Sequence, residues 1–284
     1  NIRQTGLYPI RWSCWSYLRN RKEKKMIRLI ASDLDGTLLG KDKKVPEEMF
    51  SLIGELKKKG ILFAASSGRQ YANIRRLFEP VKDEIAYICE NGALTVYQGK
   101  VLYKETMEQE TAREIVEAIW EKEGAEFTIS GEKQYYLHPK SEEYRYLIDE
   151  IVKPDYTLID SFDQVTEPCL KIAVYEKEGI EKSFDYWYGR FGDKALVVTS
   201  GFDWLDFAPR GVDKGNGITA LQKELGISRG ESMAFGDEYN DIGMLEAVEH
   251  SYAMETGKDK VKAVSRYTTS SVVSVLKQVL REGA

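Results

Sequence analysis

Histidine and cysteine are scarce in this chain, and each scarcity excludes a class of chemistry. Only His138 and His250 occur among 284 residues, which leaves proton transfer in any catalytic step to carboxylates. The three cysteines, Cys14, Cys89 and Cys169, stand far apart and form no CxxC pair. That spacing excludes a disulfide framework and a zinc knuckle, and it fits buried free thiols in a reducing cytoplasm. Long apolar runs are missing, so no segment reads as a membrane span. Positive charge is not in excess either: 41 Lys and Arg face 46 Asp and Glu, a formal net charge of -5. Such a field gives no reason to expect a nucleic acid or membrane partner, and any phosphate must be held by a local site.

What is present describes a folded α/β chain. Hydrophobic residues make up 42% and charged residues 31%, enough for a proper core under an ordinary surface, in one large domain or two moderate ones. Residues 1–25 are aromatic and basic, with Trp12, Trp15, Tyr17, Arg19, Arg21, Lys22, Lys24 and Lys25. They lack the uninterrupted apolar stretch of a secretory signal. They read as an extension ahead of Met26, or else as an arm for a membrane surface or a partner.

From Met26 a rhythm sets in. Ile27–Ala31 is a short apolar run of the kind found in a buried parallel strand. Pro46 then opens a helix whose Met49, Leu52, Ile53 and Leu56 share one face, and Gly60 suits its end. A second run, Ile61–Ala65, a further helix and a third run, Ile85–Cys89, complete a strand–helix alternation that argues for a Rossmann-like parallel sheet. After residue 92 the pattern changes to a hairpin (Ala93–Val96 with Lys100–Tyr103), a helix bearing Ile115, Val116, Ile119 and Trp120, and short strands at Phe127–Ser130, Gln134–His138, Leu170–Tyr175 and Ala195–Val198. Helices are expected near 141–152 and 180–190. The parallel rhythm returns with a helix over 215–225, a strand at Ser232–Phe235 and a last helix carrying Val272, Val273, Leu276 and Leu280. The expectation is an α/β core, residues 26–107 and 208–284, interrupted by an α+β domain over 108–207.

Polar clusters stand at the carboxyl ends of the expected strands, where ligands of parallel sheets bind. Asp33 and Asp35 follow the first strand; Asp237 and Asp241 follow the late one. If those strands are neighbours, four carboxylates face one crevice and raise each other's pKa values. A hard divalent cation relieves the repulsion, and Mg2+ suits oxygen-only ligands while keeping water positions for a phosphate oxygen. Gly36 lets the chain turn between them. Ser67-Gly68 reads as a helix N-cap, a phosphate cradle, or both. Lys214 opens a helix, where a cation is unfavourable. It is either an exposed surface lysine or a cation placed to neutralise phosphoryl-transfer charge. Trp204 and Asp206 stand near the return to the core, as pocket-lining, hinge or core residues.

Four segments in order, Asp33-Leu34-Asp35-Gly36-Thr37-Leu38-Leu39, Ser67-Gly68-Arg69, Lys214-Gly215 and Gly236-Asp237-Glu238-Tyr239-Asn240-Asp241, resemble the four motifs of the haloacid dehalogenase superfamily. The nearest resemblance is to its Cof-type phosphatases (subclass IIB), which carry a large α/β cap after the second motif. It covers essentially all of residues 26–284. The resemblance implies that Asp33 is the nucleophile and that Asp35 is the general acid and base. It implies that Leu34, Ser67, Gly68, Lys214 and Asn240 hold phosphate and that Asp33, Asp35, Asp237 and Asp241 serve Mg2+, Asp35 through its backbone carbonyl. Ser66-Ser67 replaces a threonine found in many relatives, so either serine can supply the hydroxyl. The function implied is a cytoplasmic, Mg2+-dependent phosphomonoesterase for small phosphorylated metabolites, a sugar phosphate or similar, working through an aspartyl phosphate. A sugar phosphomutase or phosphotransferase on the same fold is the alternative. A phosphate-binding protein without catalysis is disfavoured, because all catalytic positions are filled. Gly226-Ile227-Ser228-Arg229-Gly230 fits the Gly-x-Ser-x-Gly pattern of serine hydrolases. It stands after a helix and before a strand, the inverse of what a nucleophile elbow needs.

Overall fold

The computed structural model describes residues 26–282, so the reading of residues 1–25 lies outside the described residues. Strand β1, Leu29–Asp33, is buried throughout. It lies two residues further along than the apolar run suggests: pairing with both parallel partners starts at Leu29, and one of them carries it to Asp33, which faces Ser66. Helix α1, Glu47–Lys58, buries Met49, Leu52, Ile53 and Leu56 and carries acids in its first turn and lysines in its last, matching the helix dipole. Pro46 is its N-cap rather than a first-turn residue. Then come β2 (Leu62–Ser66), α2 (Tyr71–Leu77) and β3 (Ala86–Cys89). The hairpin β4 (Leu94–Tyr97) and β5 (Lys100–Lys104) turns at Gln98 and Gly99. Both have positive φ, as a tight two-residue hairpin turn requires.

A second sheet follows. Helix α3 (Gln109–Glu121) precedes β6 (Ala125–Ser130) and β7 (Tyr135–Leu137). The helix expected over 141–152 is α4 (Glu142–Tyr146), continued by a wider turn through Val152. Next are β8 (Tyr156–Leu158), β9 (Lys171–Glu176), α5 (Phe184–Phe191), β10 (Leu196–Thr199) and β11 (Trp204–Ala208). The strand order is β10-β11-β9-β6-β7-β8, antiparallel except for the β7–β8 pair. Phe127, Trp187, Phe191 and Phe207 centre a separate apolar core there.

The chain then rejoins the first sheet through α6 (Lys214–Leu225), β12 (Ser232–Gly236), α7 (Ile242–Glu246), β13 (His250–Met254), α8 (Asp259–Val264), β14 (Tyr267–Thr269) and α9 (Val272–Glu282). The order β14-β13-β12-β1-β2-β3-β4-β5 is parallel from β14 to β3. Beyond β3 the pairing is antiparallel: β4 runs against the other strands and β5 returns in their direction. The fold is thus α/β, with a parallel core sheet and an inserted mixed sheet. Apolar layers cover both faces of the core sheet. Because β1 lies between β2 and β12, successive connections leave it in opposite directions. That makes its carboxyl end the switch point at which such sheets bind ligands. Among the described residues no helix is long and apolar enough to cross a membrane.

Candidate active site

Strands β1 and β12 pair in parallel, so Asp33 and the segment after Gly236 emerge at the same sheet edge. Carboxylate oxygens of Asp33, Asp237 and Asp241 lie within 4.8 Å of one another. Lys214 Nζ reaches into this group, 2.5 Å from Asp33 Oδ1 and 2.6 Å from Asp241 Oδ1. It is 1% exposed, which decides against the surface-lysine reading. Burial disfavours its charge, but Asp241 and Asp33 outweigh burial and raise its pKa. The same two contacts offset the cost of a cation at the start of α6.

Burial, with Asp241 and Asp237 adding repulsion, pushes the Asp33 carboxyl up to about 7 against the pull of Lys214. Asp33 Oδ2 is buried and has no hydrogen-bond partner among the described residues. Asp237 is also raised by burial, although Thr37 Oγ1 donates to its Oδ1 at 2.8 Å. Asp241 is fully committed: Oδ1 accepts from Lys214, and Oδ2 accepts the N–H groups of Asp237 (2.9 Å) and Glu238 (3.0 Å). Three carboxylates and one ammonium leave surplus negative charge, an orphaned buried oxygen and only oxygen donors. That donor set fits a hard divalent cation. Gly36 (φ +88°) is packed against the cluster, and a Cβ there would lie 2.2 Å from Asp237 Oδ2.

Asp35 stands outside the cluster. Arg69 grips it with two bonds, Nε to Oδ2 at 2.9 Å and Nη2 to Oδ1 at 2.8 Å, and Lys43 adds a third at 3.0 Å. Burial opposes ionisation, but these contacts outweigh it and hold the carboxyl below its ordinary value. Ser66 ends β2 with its hydroxyl buried and unpartnered among the described residues. Ser67 Oγ accepts the N–H of Arg69 at 3.2 Å. Asn91 lies against Gly68, where a Cβ would come within 2.9 Å of Asn91 Oδ1. Asn240 Nδ2 donates to that same Oδ1 at 3.1 Å, which links the second motif to the fourth.

A family model of haloacid dehalogenase-like hydrolases matches residues 30–274. The chain belongs to this family. The Escherichia coli (strain K12) 5-amino-6-(5-phospho-D-ribitylamino)uracil phosphatase YbjI is 30% identical over 265 residues, covering 91% of this chain and 98% of that protein. The crystal structure of SMU.1108c from Streptococcus mutans UA159 superposes with a TM-score of 0.77 at 28% identity, covering 90% of this chain and 99% of that one. The subclass IIB sugar phosphatase BT4131 shares the fold, with a TM-score of 0.74 at 23% identity over 90% of this chain and 99% of that one. The resemblance carried by the four motifs is therefore a true membership, and this haloacid dehalogenase-like hydrolase is an enzyme of the Cof-type phosphatase family.

Of the residues singled out in the sequence, the fold gathers Asp33, Asp237, Asp241 and Lys214, with Ser67, Gly68 and Asn240 joined beside them through Asn91. Asn91 and Glu90 went unremarked. The sequence signal for them is their place: Glu90-Asn91-Gly92 follows the apolar run Ile85–Cys89, as the other polar clusters follow theirs; in the structure all three have positive φ. Trp204 packs with Tyr144 and Tyr175, and Asp206 is buried beside Lys171. Ser228 precedes β12 and donates to Glu231 Oε2 at 2.5 Å, so no strand presents it as a nucleophile. Two surface cavities, about 450 and 410 Å³, lie apart from the cluster, one beside α2 and the β4–β5 hairpin, the other near Trp120 and Lys140.

Proposed function

We propose that this hydrolase is a Mg2+-dependent phosphomonoesterase of the cytoplasm that acts on small phosphorylated metabolites through an aspartyl phosphate on Asp33. The observation that carries the reading is Asp33 itself. It is buried at the tip of the central strand, with one oxygen held by Lys214 and the other unpartnered among the described residues. The printed names of relatives support the substrate class: YbjI is named for a phosphorylated ribitylaminouracil, and an HMP-PP phosphatase of Escherichia fergusonii is 25% identical over 245 residues. We assign residues 108–207 as the cap over a core of 26–107 and 208–284.

In this reading the Asp33 carboxylate attacks phosphorus. An O–P bond forms, the ester P–O bond breaks, and the departing oxygen takes a proton from Asp35. Water then attacks the phosphorus and gives a proton to Asp35, and the Asp33–phosphate bond breaks to release inorganic phosphate. Asp35 as held by Arg69 and Lys43 is the ionised form that serves the second half. For the first half it must leave Arg69 and take up a proton. Ser67, Lys214, Asn240 and the main chain at Leu34 and Gly68 hold the phosphate. Asp33, Asp237 and the Asp35 carbonyl would hold Mg2+, with Asp241 anchoring the Asp237 turn and Lys214. When bound, the ion supplies charge that lets carboxylate and phosphate approach. Phosphate release from a panel of phosphorylated metabolites in Mg2+ tests the reading. Asp33→Asn should lower turnover by roughly 10³-fold or more with an unchanged circular dichroism spectrum. Near-normal turnover in that variant rejects the nucleophile, and transfer between sugar positions without phosphate release would favour a mutase.

A further inference from the structure

The loop Ser67–Arg69 is held at each of its carbonyls. Asn91 N–H donates to Ser67 O and Glu90 N–H to Arg69 O, both at 3.1 Å. The third, Gly68 O, accepts from Lys171 Nζ at 2.7 Å, and Lys171 opens β9 in the other sheet. Lys171 also meets Glu90 Oε2 at 2.9 Å and Asp206 Oδ2 at 3.2 Å. The three side chains are 9%, 0% and 4% exposed, so this is a buried ionic joint between the two sheets. Burial works against the lysine's charge, but Asp206 and Glu90 outweigh it and raise its pKa.

Gly68 O and the Arg69 N–H belong to one planar peptide unit. Lys171 fixes that plane from its oxygen side. On the other side the N–H donates to Ser67 Oγ. A serine oxygen that accepts in this way keeps its own O–H proton for another acceptor. Stability alone does not call for the joint, since buried ion pairs can often be replaced by apolar groups without loss. Its place on the loop gives it a second task.

We propose that Lys171 is a positioning residue for phosphate binding, which sets the Gly68–Arg69 peptide plane and thereby the Ser67 hydroxyl from across the domain junction. This rests on the reading of Ser67 and Gly68 as phosphate ligands. Lys171→Met alone leaves two buried carboxylates facing each other and can fail to fold. The decisive variant is therefore the uncharged triple, Glu90→Gln with Lys171→Met and Asp206→Asn. The readouts are KM for an aryl phosphate, inhibition by inorganic phosphate, the Mg2+ activation constant and the urea midpoint. The expected result is a roughly tenfold rise in KM and in the phosphate inhibition constant, the scale of one charge-assisted hydrogen bond, with Mg2+ activation unchanged and the urea midpoint near that of the unaltered chain. Unchanged phosphate constants, or an equal loss of Mg2+ affinity, overturn the proposal. Ser67→Ala separates the two readings. If it weakens phosphate while the triple variant does not, the role of Lys171 falls alone. If it changes nothing, the phosphate loop itself is misassigned and the inference falls with it.

Discussion

At the scale of single residues, the site is a balance of charges that burial makes costly. The segment around Lys214 by itself favours an exposed surface lysine, and only the resemblance turns the reading to phosphate. Only the convergence of Asp33 and Asp241 on its ammonium fixes the answer. The same balance gives a pH dependence. Burial raises the Asp33 carboxyl from 3.8 to about 7, so the folded state holds that proton more tightly than the unfolded chain. Its contribution to stability is full below pH 3.8 and is lost as pH rises through about 7. Asp237 is shifted in the same direction. In EDTA, the thermal midpoint should therefore fall between pH 5 and pH 7.5 by more than it does in Asp33→Asn. Adding Mg2+ should raise the midpoint more at pH 7.5 than at pH 5, since the ion binds the ionised carboxylates. Equal Mg2+ effects at both pH values would contradict the charge balance. Cys89 and Cys169 are held in the thiol form by burial, Cys169 at about 12. Peptide mapping after iodoacetamide at pH 8 should find both unlabelled in the folded chain and labelled in urea.

At the scale of elements, strands covered on both faces announce themselves as apolar runs, and β1, β2, β3 and β12 were all legible. Their ends were less so, since parallel pairing carried β1 two residues further than its composition suggests. The sequence pattern does not show β8, β11, β13 or β14; in β11 (Trp204–Ala208) Asp206 interrupts the apolar run. Tyr156–Leu158 and Tyr267–Thr269 are three residues each, and His250–Met254 mixes polar with apolar. These segments become strands because a neighbouring edge pairs with them, a tertiary effect that overrides weak local preference. The turn after β1 was legible through its glycine. Gly36→Ala should lower stability by about 1–3 kcal/mol from the left-handed backbone alone. It should also weaken Mg2+ activation, because the new Cβ would push Asp237 Oδ2 away. Urea titration with Mg2+-dependent kinetics checks this, and unimpaired Mg2+ activation would remove Asp237 from the metal site.

At the scale of the whole molecule, two sheets with separate apolar cores meet at the polar joint of Lys171, Glu90 and Asp206. The change of rhythm after residue 92 revealed that something is inserted. It did not reveal how the inserted sheet is ordered or where it touches the core, since strand order depends on contacts far apart in the chain. Separate cores imply separable stabilities. Phe127→Ala, fully buried in the second core, should cost about 3–5 kcal/mol and lower a calorimetric transition that Mg2+ does not move. The Mg2+-sensitive transition of the first core should stay in place. A single transition shifted as a whole would mean that the two cores unfold as one unit.

Read from the order of residues alone, this protein was already an α/β chain with four acids at two strand tips, because buried parallel strands and their polar ends are local patterns. Four motifs in order carried its family. Folding was needed to bring Asp33, Asp237, Asp241 and Lys214 within reach of one another, to turn Asp35 toward Arg69, and to set a lysine of the second sheet on the carbonyl of Gly68. Those contacts join distant parts of the chain: Asp33 and Asp241 meet across 208 positions (241 − 33). Distances between such residues are set by how the sheets pack, and no local pattern encodes them.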